Sequence, residues 1–366
     1  MVAGLVSLSL AAACSSGSGV KASGTSGSTS STTGPSSSSN GVASPQVSVA
    51  SGSASGASSP ATATGGTKVA MLLTGAINDD DWNYVGYQAL QQVKSQDHAE
   101  TSYNENVGVA DATEKANQFV SDGYKVVIFH GSELLNSAEK LAMADSDVTA
   151  IGQDATGALP NQAKNLWIVQ LTFYPGEYAL GYAAGLLANG GKACFISGLS
   201  VPSTISAANA ALRGMKAANP SVQVAYTFTG DFDDATKGRQ AAASMINDGC
   251  TSFVVHLNGA VPGVVQAIKD SGKDIPWLGL YTDKHGMDAS HYVGGFEFNF
   301  SKAYTSIVSN IENGTRTGSY NLGSDISLTP LYNVTSAQNS AITKVFAAVQ
   351  SGATKVPNLT SNVQVP

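Results

Sequence analysis

Three consecutive carboxylates, preceded by a carboxamide and followed by an indole and a second carboxamide, stand together as Asn78-Asp79-Asp80-Asp81-Trp82-Asn83. They follow the apolar run KVAMLL that begins at Lys68, so they fall in a strand-to-helix turn. A carboxylate at a helix start accepts from free backbone N–H groups and suits the positive end of the helix dipole. One residue, Asp80 or Asp81, suffices for that. Asp79 is then left as a fixed hydrogen-bond acceptor, and Trp82 offers a flat apolar face able to stack on a ring. Turns favour Asp in any case, so a reading with all three carboxylates capping or solvated and Trp82 in the core stays open.

Other chemistry-bearing patterns are missing. The chain has no G-x-x-x-x-G-K-[ST] phosphate loop, no H-E-x-x-H and no G-x-S-x-G, and its five histidines do not show metal-ligand spacing. His285 and His291 are close in sequence but lack a third ligand, and Asp233 or Asp234 suits a helix N-cap. The expectation is a binding protein, not an enzyme, with no metal and no cofactor.

The elements that must hold the turn are legible from periodicity. Apolar runs at 68–73, 126–130, 148–152 and 166–171 read as strands buried on both faces, and amphipathic stretches at 82–94, 111–122 and 134–144 read as helices between them. A second series has strands at 193–197, 222–228, 252–257 and 275–281, with helices at 203–218, 236–248 and 260–271. Asp122-Gly123, Asp248-Gly249 and Ser271-Gly272 place glycine at helix ends. Alternating strand and helix argues for α/β structure with doubly wound parallel sheets, here two units in tandem. Facing each other, two such units leave a cleft at the carboxyl ends of their strands, where open α/β sheets bind ligands.

Composition narrows the partners. With 366 residues the chain has room for two domains of roughly 100–200 residues each. A net charge of −7 argues against nucleic acid as a partner. Residues 1–14 end an apolar stretch with small residues before Cys14, which resembles the lipobox of bacterial lipoproteins, with Cys14 as the lipidated residue. Residues 15–66 are almost wholly Ser, Gly, Ala and Thr and are expected to form a tether. The expected location is the outer face of the cell membrane, lipid-anchored. The even pair Cys194 and Cys250 suits a disulfide in an exported protein, and two free buried thiols fit equally well.

Several further segments resemble the basic membrane protein family of substrate-binding lipoproteins, which includes purine-nucleoside receptors. They are 78–83, Phe129-His130-Gly131-Ser132, Gly152-Gln153-Asp154-Ala155-Thr156-Gly157, the stretch from Thr172 to Gly185, and Asp231-Phe232-Asp233-Asp234-Ala235-Thr236-Lys237-Gly238. The resemblance implies a type I periplasmic-binding-protein fold with a hinge between two lobes. Residues 68–173 plus 284–315 are expected in the first lobe, and 174–283 plus 316–366 in the second. It also implies a small-molecule ligand, a purine nucleoside or related nucleobase compound, ABC permease subunits as partners, and a monomer. By the same resemblance Asp79 and Asn83 match polar contacts to a base, Trp82 the first stacking ring, and Asp283 an acidic position that binds ribose hydroxyls. Phe173 and Tyr174 sit at the first crossing between lobes, where an aromatic pair lines a pocket or simply packs, and Asn258 ends a strand at the cleft. Where such receptors carry a ribose-binding lysine, this chain has Phe296-Glu297-Phe298-Asn299. A sugar receptor or a ligand-sensing domain of a signalling protein on the same fold is the alternative.

Overall fold

The computed structural model describes residues 66–366. Cys14, the leader and nearly all of the expected tether therefore lie outside the described residues. From the N-terminal side the chain runs β1 (Lys68–Leu73), α1 (Trp82–Gln96), β2 (Glu100–Asn104), α2 (Ala112–Ser121), β3 (Val126–His130), α3 (Leu135–Ala144), β4 (Thr149–Asp154) and β5 (Leu166–Gln170). It continues through α4 (Tyr174–Leu187), β6 (Lys192–Ser197), α5 (Pro202–Ala218), β7 (Gln223–Phe228), α6 (Ala235–Asn247), β8 (Cys250–His256), α7 (Val261–Ser271), β9 (Trp277–Leu280) and β10 (Tyr292–Phe298). The remaining elements are α8 (Phe300–Glu312), β11 (Gly318–Asn321), β12 (Ile326–Leu328) and α9 (Ser336–Gln350).

Among the described residues these strands form two six-stranded sheets, in the orders β11-β5-β4-β3-β1-β2 and β12-β10-β9-β8-β6-β7. Every pairing in the first sheet is parallel. The second has one antiparallel pairing, β12 against β10. The apolar runs read from sequence become central strands because helices cover both faces: β1, β3, β6 and β8 are almost entirely buried. β2 was not expected; it is an edge strand with no fully buried residue, so its sequence ETSYN carries no apolar run.

The lobe boundaries need one correction. Residues 284–298 do not return to the first lobe, because β10 pairs with β9 and continues the second sheet. Only at Asn299 does the chain cross back, into α8, which packs on α1, and then into β11 beside β5. β11 thus belongs to the first lobe, not the second. The chain crosses three times, after β5, after β10 and between β11 and β12. One apolar core, holding Met71 and Leu90 of the first lobe with Phe195 and Leu212 of the second, runs through the hinge region at Phe173, Phe298 and Phe300.

Two details stiffen the second lobe. α4 and α5 touch backbone to backbone: a Cβ on Gly181 would overlap the Ala211 carbonyl, and one on Gly214 the carbonyl of Tyr178. Cys194 on β6 and Cys250 on the adjacent β8 are joined in a disulfide with their Cα atoms 5.9 Å apart.

Candidate functional site

The turn after β1 is built around Asp79. Its Oδ1 accepts from the backbone N–H of Asp81 and of Tyr84, each at 2.9 Å. Its Oδ2 accepts from the backbone N–H of Asn83 at 2.9 Å and from Asn83 Nδ2 at 2.8 Å. Asn83 Oδ1 in turn accepts from the Gly75 N–H at 2.9 Å. Asp79, expected as the free acceptor, is therefore the helix-capping carboxylate, and Asn83 is its clamp. The cause is backbone: Asp80 takes a left-handed conformation at φ 54°, which folds the chain back so that Asp79 overhangs the first turn of α1. Asp80 is exposed and Asp81, the residue at the N-cap, makes no side-chain cap bond.

Asp81 instead faces the other lobe. Its Oδ2 lies 3.2 Å from Nζ of Lys284, in the segment after β9, and both side chains are buried. Lys284 Nζ also donates to the Leu280 carbonyl at 2.6 Å and to Thr282 Oγ1 at 2.9 Å, while Thr282 Oγ1 donates to the Asp80 carbonyl at 2.6 Å. Burial pushes the Asp81 carboxyl well above the usual carboxylate range, with the Lys284 charge pulling the other way. Ion pair and hydroxyl together tie the start of α1 to the second lobe.

Trp82 lies flat against His130, with ring centroids 4.4 Å apart and planes 24° from parallel. Its Nε1 donates to the His130 carbonyl at 3.2 Å, and Phe300 and Tyr281 present edges to it at 5.1 and 5.3 Å. His130 is fully enclosed: Nε2 is 3.0 Å from the Trp82 carbonyl and Nδ1 is 2.7 Å from the Tyr304 hydroxyl. Since the carbonyl only accepts, Nε2 carries the proton and Nδ1 accepts from Tyr304, whose oxygen accepts from Gln153 Nε2 at 2.9 Å. Burial pushes the imidazole down to about 3, so it is neutral.

Beside Trp82, between the strand ends of the two lobes, is a cavity. Trp82, Phe173, Phe232 and Tyr281 give it aromatic walls, and Ser132, Glu133, Ser203, Thr204, His256 and Asn258 give it polar atoms. Its envelope is about 310 Å³, but side chains leave only about 30 Å³ for the centres of water molecules. Ligand pockets run to roughly 300–1,000 Å³, so the lobes must part before a ring compound enters. Under the floor His256 Nδ1 lies 2.6 Å from Glu177 Oε1, and Nε2 lies 3.2 Å from the Tyr281 hydroxyl. Burial raises the Glu177 carboxyl, and His256 counters it. No group of three His, Cys, Asp or Glu side chains fit to hold a metal occurs among the described residues.

Of the residues expected from sequence, Trp82, Phe173 and Asn258 meet at this cavity. Asp79 and Asn83 stand next to it but are spent on the turn. Tyr174, half-buried at the start of α4, does not line it. Asp283 is exposed, and its carboxylate accepts from the Tyr332 hydroxyl at 2.7 Å and the His285 N–H at 3.0 Å. The departure follows from strand direction: β9 ends at Leu280, so Tyr281 takes the inward position and Asp283 points out. Ser132, Glu133, Tyr281, His256 and Lys284 were not singled out from sequence. All five lie at or just beyond the carboxyl ends of β3, β8 and β9, the rule that had found Asn258.

Two lobes of parallel sheet, three crossings and a cavity at the strand ends define a type I periplasmic binding protein. An ABC transporter solute-binding protein from Aeropyrum pernix superposes with a TM-score of 0.70 over 80% of this chain and 94% of its own, at 16% identity. The family model for PnrA-like ABC transporter substrate-binding proteins matches residues 66–325, and the chain belongs to this Bmp family. It is 26% identical over 208 residues to a purine-binding protein of Brucella abortus, covering 56% of this chain and 58% of that relative's length. It is 24% identical over 323 residues to the ABC transporter nucleoside-binding protein BmpA of Lactococcus lactis, covering 79% of this chain and 89% of the relative.

Proposed function

We propose that this chain is the extracytoplasmic, lipid-anchored receptor of an ABC importer, closing its two lobes on a purine nucleoside or related nucleobase compound and handing it to a permease. The observation that carries the reading is Trp82: one face rests on His130 while the indole borders the cavity, opposite Phe232 and Phe173. A planar ring entering there gains apolar burial and stacking, about 0.5–1.5 kcal/mol per aromatic pair beyond area. The names of the Brucella and Lactococcus relatives support a nucleobase-bearing ligand. Small residues before Cys14 and the Ser/Gly-rich stretch behind it support the anchor.

A thermal-shift screen with nucleosides, nucleobases and sugars tests the ligand class, since a ligand at 100 times its Kd stabilises the fold by about 2.7 kcal/mol. Shifts confined to sugars would overturn it. Replacing Cys14 with Ser should move the protein from the membrane fraction to the medium, and retention in the membrane would overturn the anchor.

A further inference from the structure

Charge is distributed unevenly around the cavity. Glu133, just after β3, is the one carboxylate on its lining, and no Lys or Arg borders it among the described residues. Across the mouth stands Asp233 of the second lobe, whose Oδ1 accepts from the Gly259 N–H at 3.0 Å and lies 3.1 Å from where a Cβ on Gly75 would stand. The first-lobe turn and the second-lobe carboxylate are thus in contact. Burial pushes the Glu133 carboxyl up and the Asp233 charge adds to that, against its own N–H and Thr74; burial raises Asp233 as well, and Asp79 adds to it. The nearest buried ammonium, Lys284, is committed to Asp81, Leu280 and Thr282.

The second observation is Asn258. It is 4% exposed and lines the cavity, yet it is hydrogen-bonded only through its backbone among the described residues, to the Phe232 carbonyl and the Val261 N–H. A buried carboxamide left without a partner costs free energy until something pairs with it. It offers one acceptor and two donors in a plane, the complement of a ring carrying adjacent N–H and C=O groups.

We propose that Glu133 and Asn258 set the ligand class of the cleft: it takes an uncharged or positively charged nitrogen heterocycle with N–H donors and excludes phosphorylated forms of the same rings. Asn258 pairs with the ring edge. Glu133, seconded by Asp233, accepts from N–H groups and repels anions, and no free cation is at hand to offset a phosphate. This deepens the receptor reading above and rests on it for the nucleobase, but the selection by charge stands on the lining alone.

Titration calorimetry with inosine, guanosine, adenosine and their 5′-monophosphates is the first test. In the unmodified protein the monophosphate of any nucleoside that binds should be at least roughly 100-fold weaker, the usual scale of like-charge repulsion in a closed site. Glu133→Gln should narrow that gap about tenfold, whereas Asn258→Ala should weaken the nucleoside about tenfold and leave the gap unchanged. A monophosphate binding within about threefold of its nucleoside, or a gap unmoved by Glu133→Gln, would overturn the assignment. The second test uses nicotinamide, 1-methylnicotinamide and nicotinate, one ring in neutral, cationic and anionic form, in thermal shift at millimolar concentration. If no nucleoside binds, the nucleobase reading fails while this series still decides the charge rule. Stabilisation by the neutral or cationic ring and not by nicotinate supports it; equal stabilisation by nicotinate, or none by any of the three, overturns it.

Discussion

The two walls of the cleft handle their polar groups in opposite ways. On the first-lobe wall Asp79, Asn83 and His130 are satisfied internally, by four bonds to the Asp79 carboxylate, one to the Asn83 carbonyl oxygen and one at each His130 nitrogen. On the second-lobe wall Asn258 presents an unpaired carboxamide, and Ser203 reaches only Ser132 of the other lobe, at 3.4 Å between hydroxyl oxygens. The contrast teaches that density of polar residues does not mark the recognition surface. The dense wall is a rigid platform for Trp82, and the sparse wall keeps atoms available for a ligand.

The largest expected effect breaks the link between the walls. Lys284→Met leaves the Asp81 carboxylate buried without its counter-charge, which typically costs about 3–5 kcal/mol. The double variant Asp81→Leu, Lys284→Met removes both charges and should recover most of that loss. Urea unfolding measures both, and a loss under about 1 kcal/mol in the single variant would show that the pair is not desolvated in solution.

Next in size is Asp79→Ala, which strips four N–H groups of their acceptor and should cost about 2–3 kcal/mol, hydrogen bonds to a charged group being worth about 1.5–3. The exposed Asp80 should be replaceable by Gly without loss, since Gly adopts a positive φ freely. If Asp79→Ala instead keeps full stability and loses only affinity, Asp79 belongs with the ligand and the contrast between the walls collapses.

A smaller effect concerns acid. His130 has its imidazole lowered to about 3 in the folded state, against about 6.5 when unfolded. Between those values the unfolded chain binds more protons, so this stabilisation is complete above pH 6.5 and drains away as pH falls, by about 2 kcal/mol at pH 5. Asp81 and Glu177, both raised by burial, act with the opposite sign, their contribution fading as pH rises through their folded values. The difference between the unmodified protein and His130→Leu isolates the imidazole: the variant should lose less stability between pH 6.5 and 4. Parallel profiles would mean that His130 takes up its proton without unfolding.

Central strands were legible because burial on both faces leaves continuous apolar runs, as in VVIFH at 126–130. β2, β11 and β12 were not, being short or half-exposed pieces whose place depends on a neighbouring strand far away in sequence. The site divides similarly. Trp82, Phe173 and Asn258 followed from a turn motif, a crossing and a strand end. Lys284 did not, because nothing local distinguishes a buried lysine from a solvated one; its partner is 203 residues away. The role of Asp79 was hidden by Asp80, whose positive φ decides which of three carboxylates overhangs the helix.

The smallest expected effect is at Asp283, the residue that resemblance to nucleoside receptors assigned to ribose. Its carboxylate is exposed, bonds the Tyr332 hydroxyl, and lies outside the cavity lining. An exposed hydrogen bond is worth little, and surface substitutions of this kind stay within about 0.5 kcal/mol. Asp283→Ala should therefore leave both melting temperature and affinity for the best nucleoside almost unchanged, while Glu133→Gln and Asn258→Ala on the lining shift binding. Calorimetry on the three variants side by side makes the comparison. Should Asp283→Ala weaken binding about tenfold or more, the segment after β9 must turn inward when ligand is bound, with Tyr332 releasing the carboxylate and Tyr281 yielding its place. In that event the second-lobe wall would be reorganised by its ligand, and the sparse surface described here would be the resting form of a wall that becomes polar only on closure.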